Sequence, residues 1–240
     1  PHTLTDLNKN TQQVAVSPLG VPVNGSFYGT EKGTKTGFPP LINSITTQLH
    51  VATLIEEAGT TIQQEASLFA CDEFSWQSEV PIPLHQVVLT ADTYPDIKSQ
   101  QVQVKLAYSD GFGRALQNLQ KVAPGLAYQR TEEGELAVDG NDKLIEAHTE
   151  TRWQVSGRVE YNNKGQVVRQ YQPYFVDDWH YITNTAMRAQ GYADTHYYDA
   201  LGREIKVVTA KGFERRHYYT PWFTVAEDEN DTWSEVSPSH

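Results

Sequence analysis

Tyr108-Ser109-Asp110-Gly111-Phe112-Gly113-Arg114 and Tyr197-Tyr198-Asp199-Ala200-Leu201-Gly202-Arg203 share one pattern, Tyr-x-Asp-x-x-Gly-Arg. Asn162-Asn163-Lys164-Gly165-Gln166 is a weaker copy, and Ser17-Pro18-Leu19-Gly20-Val21 a degenerate fourth. Tyr161 and Tyr198 stand directly before the second and third units. An Asp or Asn opening a turn accepts a backbone N–H two residues on. A Gly three residues later takes positive φ without steric cost. Each unit therefore reads as strand, turn, strand. Recurrence of such a unit marks an array of hairpins and argues against a single catalytic centre. The Arg after the Gly is placed to pair with the Asp and to lie over the preceding Tyr ring.

The flanking sequence agrees. Val102, Val104, Leu106 and Tyr108 alternate with Gln103, Lys105 and Ala107, the mark of a strand with one buried face. Further strands are expected at 66–74, 84–91, 115–122, 151–161, 166–174, 195–198, 204–209 and 214–220. Val14, Val16, Val21 and Val23 alternate around Pro18–Gly20. One helical pattern stands out. Ile42, Ile45, Leu49, Ala52 and Ile55 recur at three- and four-residue steps, so a short helix is expected near residues 43–58, capped by Asn43 or Ser44 and ended by Gly59. Residues 130–142 are polar and Gly-punctuated and read as an exposed loop.

The 240 residues carry a net charge of −11, which argues against nucleic acid or an anionic membrane as partner. Every Arg lies at or after Arg114, so composition divides the chain into a β-rich segment with a short helix (1–100), a repeat segment (101–226) and an acidic tail (227–240) expected to fray. Cys71 is the single cysteine, which excludes an internal disulfide and fits assembly in a reducing compartment. No run of 18 apolar residues marks a membrane span. A start at Pro1 rather than Met suggests a fragment or a processed product.

Several clusters invite a catalytic reading. Asp177-Asp178-Trp179-His180, joined by Asp194 and His196, offers metal-type ligands, but a metal needs three or four that converge. Carboxylates near Trp153, Trp179 or Trp222 would suit a glycosidase cleft. Cys71 in a strand-like run reads as a small buried hydrophobe rather than a nucleophile. Tyr and Trp stripes would suit sugar stacking on a carbohydrate-binding module. None of these carries a recognised motif spacing, so no catalytic residue, metal or cofactor is expected.

The turns resemble Rhs/YD repeats, named for their Tyr-Asp signature. Longer strings are similar to the C-terminal region of the B component of bacterial insecticidal toxin complexes (Tc toxins): Tyr108–Gln117, Thr151–Arg158, Tyr171–Phe175, Tyr198–Arg203, Thr209–Gly212 and Thr220–Asp231. The resemblance is dense over about residues 100–231 and looser before. It implies a mainly β fold, a curved antiparallel sheet of Rhs/YD hairpins forming an arc of a hollow shell, and no enzymatic activity. The repeat-turn residues would be Tyr108, Asp110, Gly113, Arg114, Tyr161, Asn162, Gly165, Tyr197, Tyr198, Asp199, Gly202 and Arg203. Gln166 and Val21 depart from the motif's Arg. The implied partners are the rest of the B component, the C component with its enclosed cytotoxic cargo, and the pore-forming A component through a propeller outside this chain. The implied setting is a secreted or exported toxin assembly made in the bacterial cytoplasm.

Overall fold

A computed structural model describes residues 2–41, 50–62, 64–77, 82–95, 101–131, 134–183, 187–188 and 191–236. The chain divides into two compact units, Pro1–Phe112 and Gly113–His240, and the division falls inside the first repeat turn. No helix among the described residues is long and apolar enough to cross a membrane.

In the first unit, seven strands form an antiparallel sheet. They are β1 (His2–Thr5), β2 (Thr11–Val16), β3 (Pro22–Glu31), β4 (Thr34–Gly37), β5 (Ser67–Asp72), β6 (Leu84–Ala91) and β7 (Val102–Ser109). Their order is β1-β2-β3-β5-β6-β7, with β4 also on β3. The alternation read from β7 decides which face is covered. Val87 lies opposite Leu106, and Leu89 opposite Val104, all buried. With Leu68 of β5 they form an apolar face, on which α1 (Val51–Glu56) packs. Each fully buried aliphatic side chain contributes roughly 1.5–3 kcal/mol. The N-terminal half of the expected helix lies outside the described residues. Its C-terminal half differs from the expectation: the turn breaks at Glu57, and α2 (Ala58–Thr61) continues through Gly59. Burial of Ala58 and Ile62 against the sheet outweighs the stop signal of the glycine.

The second unit holds two sheets. One contains β8 (Ala115–Val122), β9 (Gly125–Tyr128), β10 (Glu146–Thr149), β11 (Arg152–Ser156) and β14 (Tyr174–Val176), in the order β8-β11-β14-β9-β10. Its β14–β9 contact is parallel, at Val176 and Tyr128. The other contains β12 (Val159–Tyr161), β13 (Val167–Tyr171), β15 (Ala193–Tyr198), β16 (Glu204–Val208), β17 (Glu214–Tyr219) and β18 (Thr224–Glu227), antiparallel and in that order. Among the described residues neither sheet closes on itself. The helical turn α3 (Trp233–Val236) follows, so the acidic stretch carries structure as far as Val236.

Two of the expected strands are each divided between the sheets. The stretch 151–161 breaks at Gly157, whose φ is +60°, and 166–174 breaks at Gln172-Pro173, where proline lacks a ladder donor. Periodicity cannot show such crossings, because both halves keep a strand's alternation. The expected loop 130–142 is also more ordered than its polarity suggested. Two tight turns fold it back, Arg130 bridges Leu136 and Val138 bridges Leu144, and Leu136 is buried.

Arg158 fastens the crossing. It is 2% exposed. Nη1 donates to Gln117 Oε1 at 2.7 Å and to the Tyr174 hydroxyl at 3.4 Å; Nη2 donates to the Ile182 and Thr183 carbonyls at 2.9 and 3.2 Å. The guanidinium also lies within 5.7 Å of the Tyr171 and Tyr181 ring centres. One planar fork thus ties β8, β14 and the loop after β14 to the crossover itself, a task that lysine's single ammonium cannot copy. Arg158→Met should lower the unfolding free energy by about 3 kcal/mol, because several buried oxygens lose charged donors. Arg158→Lys should recover less than half of that in a urea titration.

Candidate functional site

The candidate site is the set of turns and the contacts that join one turn to the next. At seven places among the described residues the chain closes the same loop. The N–H of the first residue donates to the carbonyl four residues on, and the N–H of the fourth residue donates back to the first carbonyl. These loops open at Asp6, Ser17, Thr131, Asp139, Asn162, Asp199 and Thr209, with bonds of 2.7–3.1 Å. The fourth residue always has positive φ, from +60° at Asp142 to +84° at Gly202 and Gly212. Two such bonds around a left-handed fourth residue are a common hairpin closure. In the Asp110 turn, Asp110 Oδ1 accepts the Phe112 N–H at 2.9 Å and Gly113 has φ +77°.

The opening side chain does what the sequence suggested. Asp199 Oδ1 accepts the N–H groups of Leu201 and Arg203, both at 2.9 Å. Asn162 Oδ1 does the same for Lys164 and Gln166, at 2.9 and 3.0 Å. Ser17 and Thr209 use their hydroxyls on the fifth N–H. The turns at Ser17 and Asn162, which lack the motif's Arg, close like the others. The turns at Asp6 and Asp139 escaped the sequence reading because Lys9 and Asp142 occupy the position where glycine was sought. Their one legible signal is the opening Asp.

The Arg-to-Asp contact forms at Arg203, whose Nε and Nη2 both lie 2.7 Å from Asp199 Oδ2. The expected stacking on the preceding Tyr is corrected. Arg114 lies 4.4 Å over the ring of Tyr161, and Arg203 lies 4.4 Å over that of Tyr219, so each Arg covers a Tyr of the following hairpin. The strand leaving a turn runs beside the next hairpin, and this places the Arg there. Of the two preceding Tyr residues, Tyr108 is buried, its ring 5.1 Å from His85 on the paired strand. Tyr197 is 44% exposed under the ammonium of Lys206.

The Tyr directly before a turn makes the link between hairpins. The Tyr161 hydroxyl donates to the Ala115 carbonyl at 3.0 Å, Tyr198 to Val167 at 2.7 Å, and Tyr219 to Glu204 at 3.0 Å. Ala115, Val167 and Glu204 each follow the Arg or Gln position of the previous turn. Where Gln166 replaces Arg, its amide donates to the Gly202 carbonyl at 2.8 Å and so still reaches the next turn. One repeated contact, a rung, therefore joins four turns in succession, at Asp110, Asn162, Asp199 and Thr220.

Next to Tyr161 on β12 sits a buried acid. Glu160 is 8% exposed, accepts the Tyr171 hydroxyl at 2.6 Å and pairs with Arg188 at 2.9 Å. Burial pushes its pKa up, but the hydrogen bonds from Arg188 and Tyr171 outweigh burial and hold the carboxyl below its usual value. Burial and the bond to Glu160 push Tyr171 up to about 12.

The clusters weighed as catalytic are occupied by local contacts. His180 Nδ1 lies 2.7 Å from Asp178 Oδ2 and its ring stacks on Trp179. Asp177 accepts the Arg130 N–H at 3.3 Å. His196 bonds Glu204 at 2.6 Å, and Asp194 takes the Ala210 N–H at 2.8 Å, so neither joins the Asp178 group. No group of three or more metal-type ligands occurs among the described residues. Cys71 on β5 is half-buried, and burial with nearby Glu73 and Asp72 pushes its thiol pKa up, away from a reactive thiolate.

Tyr198→Phe should cost about 1 kcal/mol, the loss of one hydroxyl-to-carbonyl bond, and raise hydrogen exchange in β13 and β16 more than in β8. A depressed Glu160 pKa stabilises the fold above the unfolded value of 4.5, and that stability is lost as pH falls through the lower folded value. Glu160→Gln should therefore flatten the acid limb of a stability–pH curve below about pH 4.5 and leave the limb from pH 7 to 9 unchanged.

No family model matches the chain, and comparison with curated proteins finds no match. Solved structures do match. The crystal structure of TcdB2-TccC3 aligns with 98% of this chain at 42% identity and a TM-score of 0.86. That of TcdB2-TccC3-Cdc42 aligns with 98% at 35% identity and a TM-score of 0.85. The Tc holotoxin pore of Photorhabdus luminescens aligns with 98% at 34% identity and a TM-score of 0.83. The chain spans 11% of the length of the first of these chains and 13% of the other two. Identity at this level over nearly every residue places this chain in the family of Tc toxin B and C components, of which it matches a segment.

Proposed function

We propose that this chain is a piece of wall, an Rhs/YD-repeat segment of a toxin-complex B component. With a C component it builds a β-sheet shell around a cytotoxic cargo, which the pore-forming A component delivers into a host cell. The function is containment, and the chain catalyses nothing. The observation that carries this reading is the rung. Tyr161, Tyr198 and Tyr219 tie hairpin to hairpin through one repeated hydroxyl-to-carbonyl bond, so the array is built to extend as a sheet. Among the described residues, β10, β12 and β18 stand at sheet ends, which a wall must pair with neighbouring strands to avoid templating aggregation. The natural partners are then the remainder of the B component, the C component and its cargo, and the A component through a domain outside this segment. The assembly works outside the producing bacterium.

The test is protease protection. A full-length B component carrying this segment, assembled with its C component, should shield the cargo from added protease. Arg158→Met within that assembly should shorten the cargo's survival at least tenfold with the cargo sequence unchanged. Equal survival, or cargo digested as fast in the unmutated assembly as when free, sinks the reading.

A second reading rests on Trp222 and Phe223, which are 90% and 60% exposed in the β17–β18 turn and suit sugar stacking. A glycan-array signal lost in Trp222→Ala would favour a carbohydrate-binding module.

A further inference from the structure

The end of the second sheet opposite the Tyr161, Tyr198 and Tyr219 rungs, where β16 turns into β17, carries a contact of the same kind that is filled differently. The Thr209 turn carries Phe213 at the Arg position and Glu214 after it. By the pattern of the other turns, the ring of a following Tyr should lie against Phe213, and its hydroxyl should donate to the Glu214 carbonyl. Both contacts are present, but the acidic C-terminal stretch supplies them. Trp233 stacks on Phe213 with ring centres 5.3 Å apart, and the buried Thr232 hydroxyl donates to the Glu214 carbonyl at 2.7 Å. The stretch is steered by charge. Arg215 Nε lies 3.5 Å from Glu229, and Arg216 Nη1 lies 2.7 Å from Glu235. Asp228 shapes the approach, its Oδ1 accepting the N–H groups of Asn230 and Asp231 at 2.7 and 3.1 Å.

We infer that Phe213, the Glu214 carbonyl and the Arg215–Arg216 pair form a docking surface for an acidic segment bearing an aromatic ring and a neighbouring hydroxyl, and that residues 228–236 are a displaceable latch on that surface. Thr232 and Trp233 reproduce a rung with residues that belong to no strand. The surface therefore recognises ring, hydroxyl and negative charge rather than a hairpin. The hold is light outside Thr232. Trp233 is 52% exposed and the Glu235 side chain 63% exposed. Exposed ion pairs contribute little and are screened by salt. The latch wins in the intact chain because it is tethered, which gives it a high effective concentration against any free competitor. The inference does not depend on what the wall encloses.

The experiment uses the full chain and a fluorescein-labelled peptide of residues 228–240. Unmutated chain should bind the peptide weakly, since its own latch occupies the surface. Trp233→Ala should bind it at least tenfold more tightly in fluorescence anisotropy, and Trp233→Ala with Phe213→Ala should lose that gain. Glu229→Gln with Glu235→Gln, a milder variant that keeps both rings, should show faster hydrogen exchange over 228–236 with β12–β16 unchanged, and tighter peptide binding than the unmutated chain. A peptide with Trp233→Ala should fail to bind any form. Equal affinity of the unmutated and Trp233→Ala chains, binding unaffected by Phe213→Ala, or loss of protection throughout β12–β16 in the Glu229/Glu235 variant would each overturn the inference.

Discussion

The bond from a Tyr hydroxyl to the carbonyl just past the previous turn is the constraint on which the hairpin array depends. A lone hairpin is marginal in water. Ladder bonds join strand to strand, but they leave the turns free to splay. The hydroxyls of Tyr161, Tyr198 and Tyr219 fix each turn to the one before it, and the cations of Arg114 and Arg203 cover the rings of Tyr161 and Tyr219. The Tyr161 and Tyr219 rungs are each worth only about 1–2 kcal/mol, a hydrogen bond plus a cation–π contact, and the Tyr198 rung has the hydrogen bond without the cation. Their value lies in repetition, since every hairpin added makes the same contact with the last.

The polar interior of the second unit is concentrated where the chain changes sheet. Arg158 stands at one crossing, and Glu160, Tyr171 and Arg188 form a connected group beside it. An apolar core would bury the same surface, but it would not specify which strand turns away. A buried guanidinium tolerates few arrangements of its acceptors, and so it selects the observed crossing over a continuous strand. This accounts for the division of two stretches that read as single strands.

The turns and the alternating strands were legible because both are local. An opening Asp and a fourth-position Gly mark the bend, and the alternation of Val102 to Tyr108 marks the buried face. β6 and β8 fall where composition placed them, at Leu84–Ala91 and Ala115–Val122. Turns at Asp6 and Asp139 stayed hidden because the loop's own backbone bonds close with exposed Lys9 and Asp142 at positive φ, where a sequence reader looks for glycine. The role of Arg114 was half legible. Its proximity to its own turn was evident, but the ring that it covers belongs to a residue far along the chain.

The sequence by itself determined the β class, the hairpin closures and, through long shared strings, the toxin-complex family. These depend on φ preferences, on period-two burial and on residue identity, all carried by short stretches. Tertiary structure alone decided that Tyr161 answers to Ala115, that Arg158 sits inside a crossover, and that Trp233 stacks on Phe213. Those contacts join residues brought together only after the strands have paired, and no local preference encodes which carbonyl a hydroxyl will find.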